Sequence, residues 1–290
     1  RLAWPVRLFA RNMATEFTFL IPLGWEGRDE RLAFARRHGL GVEVTAFIGG
    51  KALNDPEIRG PMEGQLEREL STFKSMKTLH GAFLDLALHS PDARIAAISQ
   101  SRIERDILTA RRLGCEKIIF HLGFNPLVPV SRYRSELIKA HAEFWAYVLA
   151  SYPGITICLE NQWESDWSIF GELFDTVQHP RLGMCLDVAH AHVHGHFTSK
   201  AWIRAMATHI SHMHWNDNWG DRDDHLPLGA GNIDWSSIFD ACRAWKTASV
   251  TLEMQELGSL HRSLSFLARQ GVLPRSERFG GTTASVLTPP

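Results

Sequence analysis

His212, His214 and His225 stand among Asp217, Asp221, Asp223, Asp224 and Asp234 in one stretch, Ser211 to Trp235, reading SHMHWNDNWGDRDDHLPLGAGNIDW. Imidazoles and carboxylates are the side chains that hold divalent cations, and a hydrophobic core has no use for so many together. The stretch therefore reads as part of a metal site on a strand-to-helix loop. Residues of the same kind close short apolar runs along the chain, one of them within this stretch: His80, His121, Glu160, Asp187, His214 and Glu253. His190 and the pair Asp223 and His225 lie just past such ends.

The neighbours of these residues have plainer roles. His212 lies two before His214, on the same strand face, and reads as a core histidine bonded to a neighbour. His192, His194 and His196 read as surface loop residues, and Asp217, Asp221 and Asp224 as groups that solvate the loop or cap turns. Gly229 and Gly231 permit tight turning before a helix for which Asp234 is the expected N-cap.

Residues so far apart in the chain meet only if regular elements bring them together. Apolar runs predict strands at 17–23, 42–44, 77–80, 117–121, 155–160, 182–187, 210–215 and 249–253. Amphipathic spacing predicts helices at 29–38, 63–75, 93–113, 132–152, 167–178, 200–208, 235–245 and 260–270, with 49–61 a loop. Short apolar strands alternating with helices make an α/β protein with a covered parallel sheet. Eight such units predict a single (β/α)₈ TIM barrel over 16–272, whose C-terminal mouth gathers the strand-end residues. Thr78, Ile119, Cys158, Cys185, His212 and Thr251, two before each strand end, form the expected layer beneath. Residues 1–15 are set outside the fold as a basic, apolar extension, and 273–290 as a flexible tail.

A formal net charge of −1 gives no global attraction to nucleic acid or anionic membrane, and no apolar run approaches a membrane span. The four cysteines show no CxxC spacing, and Cys158 and Cys185, inside apolar runs, read as buried thiols of a reducing, cytoplasmic compartment.

The segments HGAFLDL, FHLGFNP, CLENQWE, CLDVAHAHVHG, HWNDNWGDRDDHLPLGAGNIDW and TLEM together resemble successive motifs of the xylose isomerase-like TIM-barrel superfamily, over roughly residues 17–270. That superfamily holds sugar and sugar-phosphate isomerases and epimerases beside endonuclease IV-type AP endonucleases. The resemblance to the ketose epimerase branch implies one divalent ion (Mn, Zn, Fe or Co) held by Glu160, Asp187, His214 and Glu253. Glu160 and Glu253 would then also be the acid/base pair acting on a small carbohydrate, with Phe83, Trp163 or Trp215 packing on the sugar's apolar side. The resemblance to the endonuclease branch implies up to three ions, with His80, His121, His190, Asp223 and His225 as further ligands, or as substrate contacts in the first reading. His225 falls near where many ketose epimerases carry a substrate-binding Arg. A nucleic-acid substrate would need cations at the mouth, and Arg132, Arg134 and Arg222 read as solvated loop residues opposed by Asp85, Glu164, Asp166 and Asp221. An oligomeric state is compatible with either branch.

Overall fold

In the computed structural model, which describes residues 16–84, 86–128, 130, 132–243 and 247–273, strands and helices alternate along the chain. They run β1 (Glu16–Leu23), α1 (Arg28–His38), β2 (Gly41–Val44), α2 (Lys51–Asn54), α3 (Pro56–Ser71), β3 (Lys77–His80), α4 (Ala93–Leu113), β4 (Lys117–His121) and α5 (Tyr133–Ser151). They continue with β5 (Thr156–Glu160), α6 (Ser168–Val177), β6 (Leu182–Asp187), α7 (Val188–His194), α8 (Ser199–Ala205), β7 (Ile210–Trp215), α9 (Trp235–Cys242), β8 (Thr247–Leu252) and α10 (Leu257–Arg269). The expected extension and most of the tail, 1–15 and 274–290, lie outside the described residues.

All eight strands pair in parallel and β8 closes on β1, so the sheet is a complete barrel. Parallel pairing brings the C-terminal strand ends to one mouth. His121 lies opposite Glu160 in the register, and Asp187 opposite His214. A main apolar core joins the outward strand faces to the helices, through residues such as Leu79, Phe120, Leu159, Met184 and Val250. Ile119, Cys158 and Cys185 form a separate small cluster on the inward faces. The expected layer beneath the site is therefore half apolar. Its other half, Thr78, His212 and Thr251, is bonded to Glu43, a buried carboxylate from β2.

Two predicted loops are helical. The segment 49–61 contains α2 and the start of α3, where the Asp55 side chain accepts from Glu57 N–H and Pro56 stands in the first turn. A proline there gives up a hydrogen bond that the first turn lacks anyway. The histidine tract after β6 is α7, capped by Asp187, whose Oδ1 accepts from Ala189 and His190 N–H at 2.7 Å each. His192 and His194 are thus helix residues. His192 Nε2 lies 2.8 Å from Asn232 Oδ1, tying the helix to the loop before α9.

Candidate metal centre

Four neighbouring strands supply the deepest group. Glu160 ends β5, Asp187 ends β6, His214 is the penultimate residue of β7, and Glu253 follows β8. One donor atom from each lies within 4.8 Å of all the others. Glu160, Asp187 and His214 are fully buried, and Glu253 is 15% exposed at the cavity floor. His214 Nδ1 lies 2.9 Å from Glu160 Oε1 and 3.2 Å from Glu253 Oε1, while Nε2 lies 3.1 Å from Glu43 Oε1. Asp187 Oδ2 is buried without a hydrogen-bond partner.

This group fits a divalent cation. Buried carboxylates crowded together are costly unless paired, and the orphaned Asp187 oxygen is a ready ligand atom. Burial alone would raise the Glu160 pKa, but His121, His214 and His80 around it hold it well below the usual carboxylate range. Burial opposes charging His214, yet Cys185 and the carboxylates of Glu160, Glu253 and Glu43 push its pKa well above the usual imidazole value. Asp187 is pushed up to about 7, chiefly by burial, with Glu253 and Glu160 adding repulsion. A cation taking these donors would displace protons, which makes its binding pH-dependent.

An outer group borders the first. His80 Nε2 and His121 Nε2 lie 3.2 and 3.3 Å from Glu160 Oε2, and the three residues form a second set of mutually close donors. Asp223 Oδ2 lies 3.2 Å from His190 Nε2 and 2.9 Å from His225 Nε2. Burial pushes the His121 pKa down to about 3, leaving a neutral ring with a lone pair to offer. Main-chain carbonyls fix three of these rings. His80, His190 and His225 donate from Nδ1 to the carbonyls of Gly81, Asn161 and Glu253, at 3.0, 2.9 and 2.7 Å. Each is thereby turned so that Nε2 faces the centre. His225 adopts φ 50, a left-handed conformation unusual for a side chain with a Cβ, and it sits at the site where such strain concentrates.

Residues of unremarkable type hold these groups in place. Asn161 clamps two strand ends, donating from Nδ2 to Asp187 O and accepting from Asp187 N–H, both at 2.9 Å. Asp217 is fully buried rather than a solvating loop acid. It accepts from Gly229 and Ile233 N–H and from Trp235 Nε1, closing the loop that carries Asp223 and His225. A Cβ on Gly231 would come within 2.4 Å of the Asp217 carboxylate, so glycine is required there. Asp234 caps α9 as expected, accepting from Ser237 N–H.

Other expectations need correction. Trp215 cannot pack on a substrate. It follows His214, so strand alternation turns it outward, where it is fully buried against Phe17, Phe19, Trp235 and Phe239. Trp163 is 37% exposed and outside the cavity lining, whereas Phe83 lines the cavity and packs on His121 with centroids 4.6 Å apart. Glu164 is buried, with its pKa pushed up to about 7 by that burial, and is no loop acid. Asp85 lies outside the described residues. His212 is the core histidine expected, 2.7 Å from Ser249 Oγ and 3.0 Å from Thr251 Oγ1. Glu43 was not among the expected residues. The signal available was a carboxylate between two valines in a strand otherwise apolar.

Above the two groups opens a cavity of about 920 Å³, with His80, His121, Glu160, His190, Asp223, His225 and Glu253 in its lining and Glu26, Glu30 and Glu256 among its other walls. Arg31 is the one Lys or Arg among its described lining residues, and its guanidinium donates to the carbonyls of Pro22, Met254 and Gln255. Arg132, Arg134 and Arg222 are paired with Glu136, Glu172 and Asp224.

Residues 14–270 match the family described as xylose isomerase-like TIM barrel. An uncharacterized protein of Methanocaldococcus jannaschii is 28% identical over 174 residues, 56% of this chain and 58% of that protein. The match therefore spans little more than half the length of that relative. A probable endonuclease 4 of Mycobacterium ulcerans is 25% identical over 240 residues, 78% of this chain and 90% of its own length. A D-tagatose 3-epimerase-like protein of known structure superposes with a TM-score of 0.73 at 20% identity, covering 88% of this chain and 98% of its own, a likeness of fold.

Proposed function

The chain belongs to the xylose isomerase-like TIM-barrel family, and on that premise we propose that it is a divalent-metal-dependent isomerase or epimerase of sugars. The observation that carries the reading is the deep donor set, Glu160, Asp187, His214 and Glu253, under a cavity whose walls carry acidic residues and where the one guanidinium among the described lining residues is spent on carbonyls. Such a cavity suits an uncharged polyol and repels phosphate. A bound cation would polarise the substrate carbonyl and its neighbouring hydroxyl, acidifying the C–H between them.

The proton chemistry falls to the two glutamates. Glu253 has one close histidine and faces the cavity, so it is the better base for the substrate C–H. Glu160 shares the donor set and the cavity lining, and it would return a proton to the substrate carbon after drawing one from solvent through the open cavity. Return to the neighbouring carbon gives isomerisation, and return to the opposite face of the same carbon gives epimerisation. His190 and Gln162 are placed to hold hydroxyls, and Phe83 gives the apolar wall that a sugar ring packs against.

A second reading, metal-dependent phosphodiester cleavage, draws on the second donor set of His80, His121 and Glu160 and on the endonuclease 4 relatives. The acidic walls and the paired arginines weigh against it, since nucleic acid needs free cations. The test is incubation with Mn²⁺ or Zn²⁺ and a panel of free and phosphorylated ketoses in D₂O, beside an oligonucleotide bearing an abasic site. Deuterium entering a carbon next to the carbonyl of an unphosphorylated sugar is the expected result. Strand cleavage without sugar exchange would replace the proposal with the second reading.

A further inference from the structure

We infer that Glu43 is the positioning residue for the deep donor set, holding the His214 ring through Nε2 so that Nδ1 faces Glu160 and Glu253. The inference rests on the metal-site reading and is independent of which substrate the site takes.

Glu43 sits between Val42 and Val44 in β2, and all three are fully buried. A charge in such a strand is strongly destabilising unless hydrogen bonds and opposite charge answer it. Here Oε2 accepts from the hydroxyls of Thr78 and Thr251, each at 2.9 Å, and lies 3.2 Å from His212 Nε2. His212 is fixed in turn at 2.7 Å from Ser249 Oγ, which accepts from Lys117 Nζ at 2.7 Å. A connected chain of polar groups thus runs from Lys117 up the barrel interior to Oε2. His214 Nε2 bonds to the same oxygen at 3.4 Å, while Oε1 lies 3.1 Å from that nitrogen and has no hydrogen-bond partner of its own.

A carboxylate cannot donate, so the proton between Glu43 and His214 belongs to Nε2 and the Nδ1 lone pair is free for a cation. His80, His190 and His225 are held the same way by neutral carbonyls. Among the described residues, His214 is the histidine of these groups whose outer nitrogen rests on a carboxylate. A carboxylate partner both orients the ring and raises its basicity as a ligand. Nothing in barrel packing calls for this contact, since a fourth hydroxyl or an aliphatic side chain would fill the same volume without a buried charge.

Affinity for Mn²⁺ and for Zn²⁺, measured by competition with a chromophoric chelator, tests the inference without any substrate. Glu43→Gln keeps the shape and removes the charge. Glu43→Asp keeps the charge, shortens the reach, and serves if the first variant does not fold. Each is expected to bind about 10–100-fold more weakly than the wild-type protein. His141→Ala, a buried change on α5 against Trp145, is expected to lower the melting temperature and leave affinity within about twofold. Wild-type affinity in either Glu43 variant overturns the inference, as does an equal loss in His141→Ala, which would make the effect one of general stability. A wild-type protein that binds neither ion removes the metal-site reading as well. Tight wild-type binding with unaffected variants removes Glu43 alone.

Discussion

The deep and outer donor groups share Glu160 and differ in how their other members are held. The deep group is built on or beside strand ends, buried except for the edge of Glu253, and braced from below by a carboxylate and hydroxyls within the barrel. The outer group adds His190 from a short helix and Asp223 and His225 from a loop to the strand-end rings of His80 and His121, with three of its four rings propped on main-chain carbonyls. Rigid strands and a charged brace suit a group whose geometry must not change. Imidazoles facing an open cavity, with a loop supplying part of the group, suit one that meets different partners, whether hydroxyls or further ions. Which chemistry the barrel performs therefore turns on how unequal the two groups are.

The largest expected effect is on the shared and deep carboxylates. Glu160→Gln and Glu253→Gln should each lower turnover by roughly 10³-fold or more, measured at saturating metal. Activity retained in either variant would remove that residue from the proton chemistry.

A buried acid outside both groups calibrates what burial alone does. Glu164 has its pKa pushed up to about 7. Between the unfolded value of about 4.3 and pH 7 the folded protein keeps a proton that the unfolded chain releases, so stability falls as pH rises through this window. Glu164→Gln should abolish that slope and stabilise the protein at pH 8 by up to about 3 kcal/mol. Denaturant melts at pH 5 and pH 8 measure it, and an unchanged slope would show that Glu164 ionises freely.

Smaller again is the effect at the outer group. His80→Asn or His121→Asn should reduce kcat/KM about tenfold while leaving metal affinity nearly intact. A loss matching that of Glu160→Gln would make the groups equal partners and favour phosphodiester cleavage. Smallest is His192→Ala. It lies on α7 away from both groups, so turnover should change by less than about twofold and stability by about 1 kcal/mol for the lost contact with Asn232.

Much of this arrangement was legible in the residues. The strand rhythm gives the barrel, and polar residues closing apolar runs give both donor groups. Alternation identifies His212 as a core histidine, and the same rule, applied one residue past His214, would have sent Trp215 to the outer core. Less was visible where partners lie far apart in the chain. Glu43 meets Thr78, His212, His214 and Thr251 across the barrel, and no local spacing connects them. Asp217 looks like its exposed neighbours until the loop folds over it. The helix after Asp187 is hidden because a strand-end carboxylate in a histidine tract reads as a ligand, whereas its Oδ1 caps the helix and leaves only Oδ2 without a partner.

One measurement tests the inequality of the two groups most directly: crystallography of the metal-loaded protein with anomalous scattering at the Mn and Zn edges. The prediction is a single fully occupied ion ligated by Glu160, Asp187, His214 and Glu253, with His80, His121 and His225 facing open cavity. Two or three ions, with those histidines coordinated, would contradict it and replace sugar chemistry with polynuclear hydrolysis as the function of this barrel.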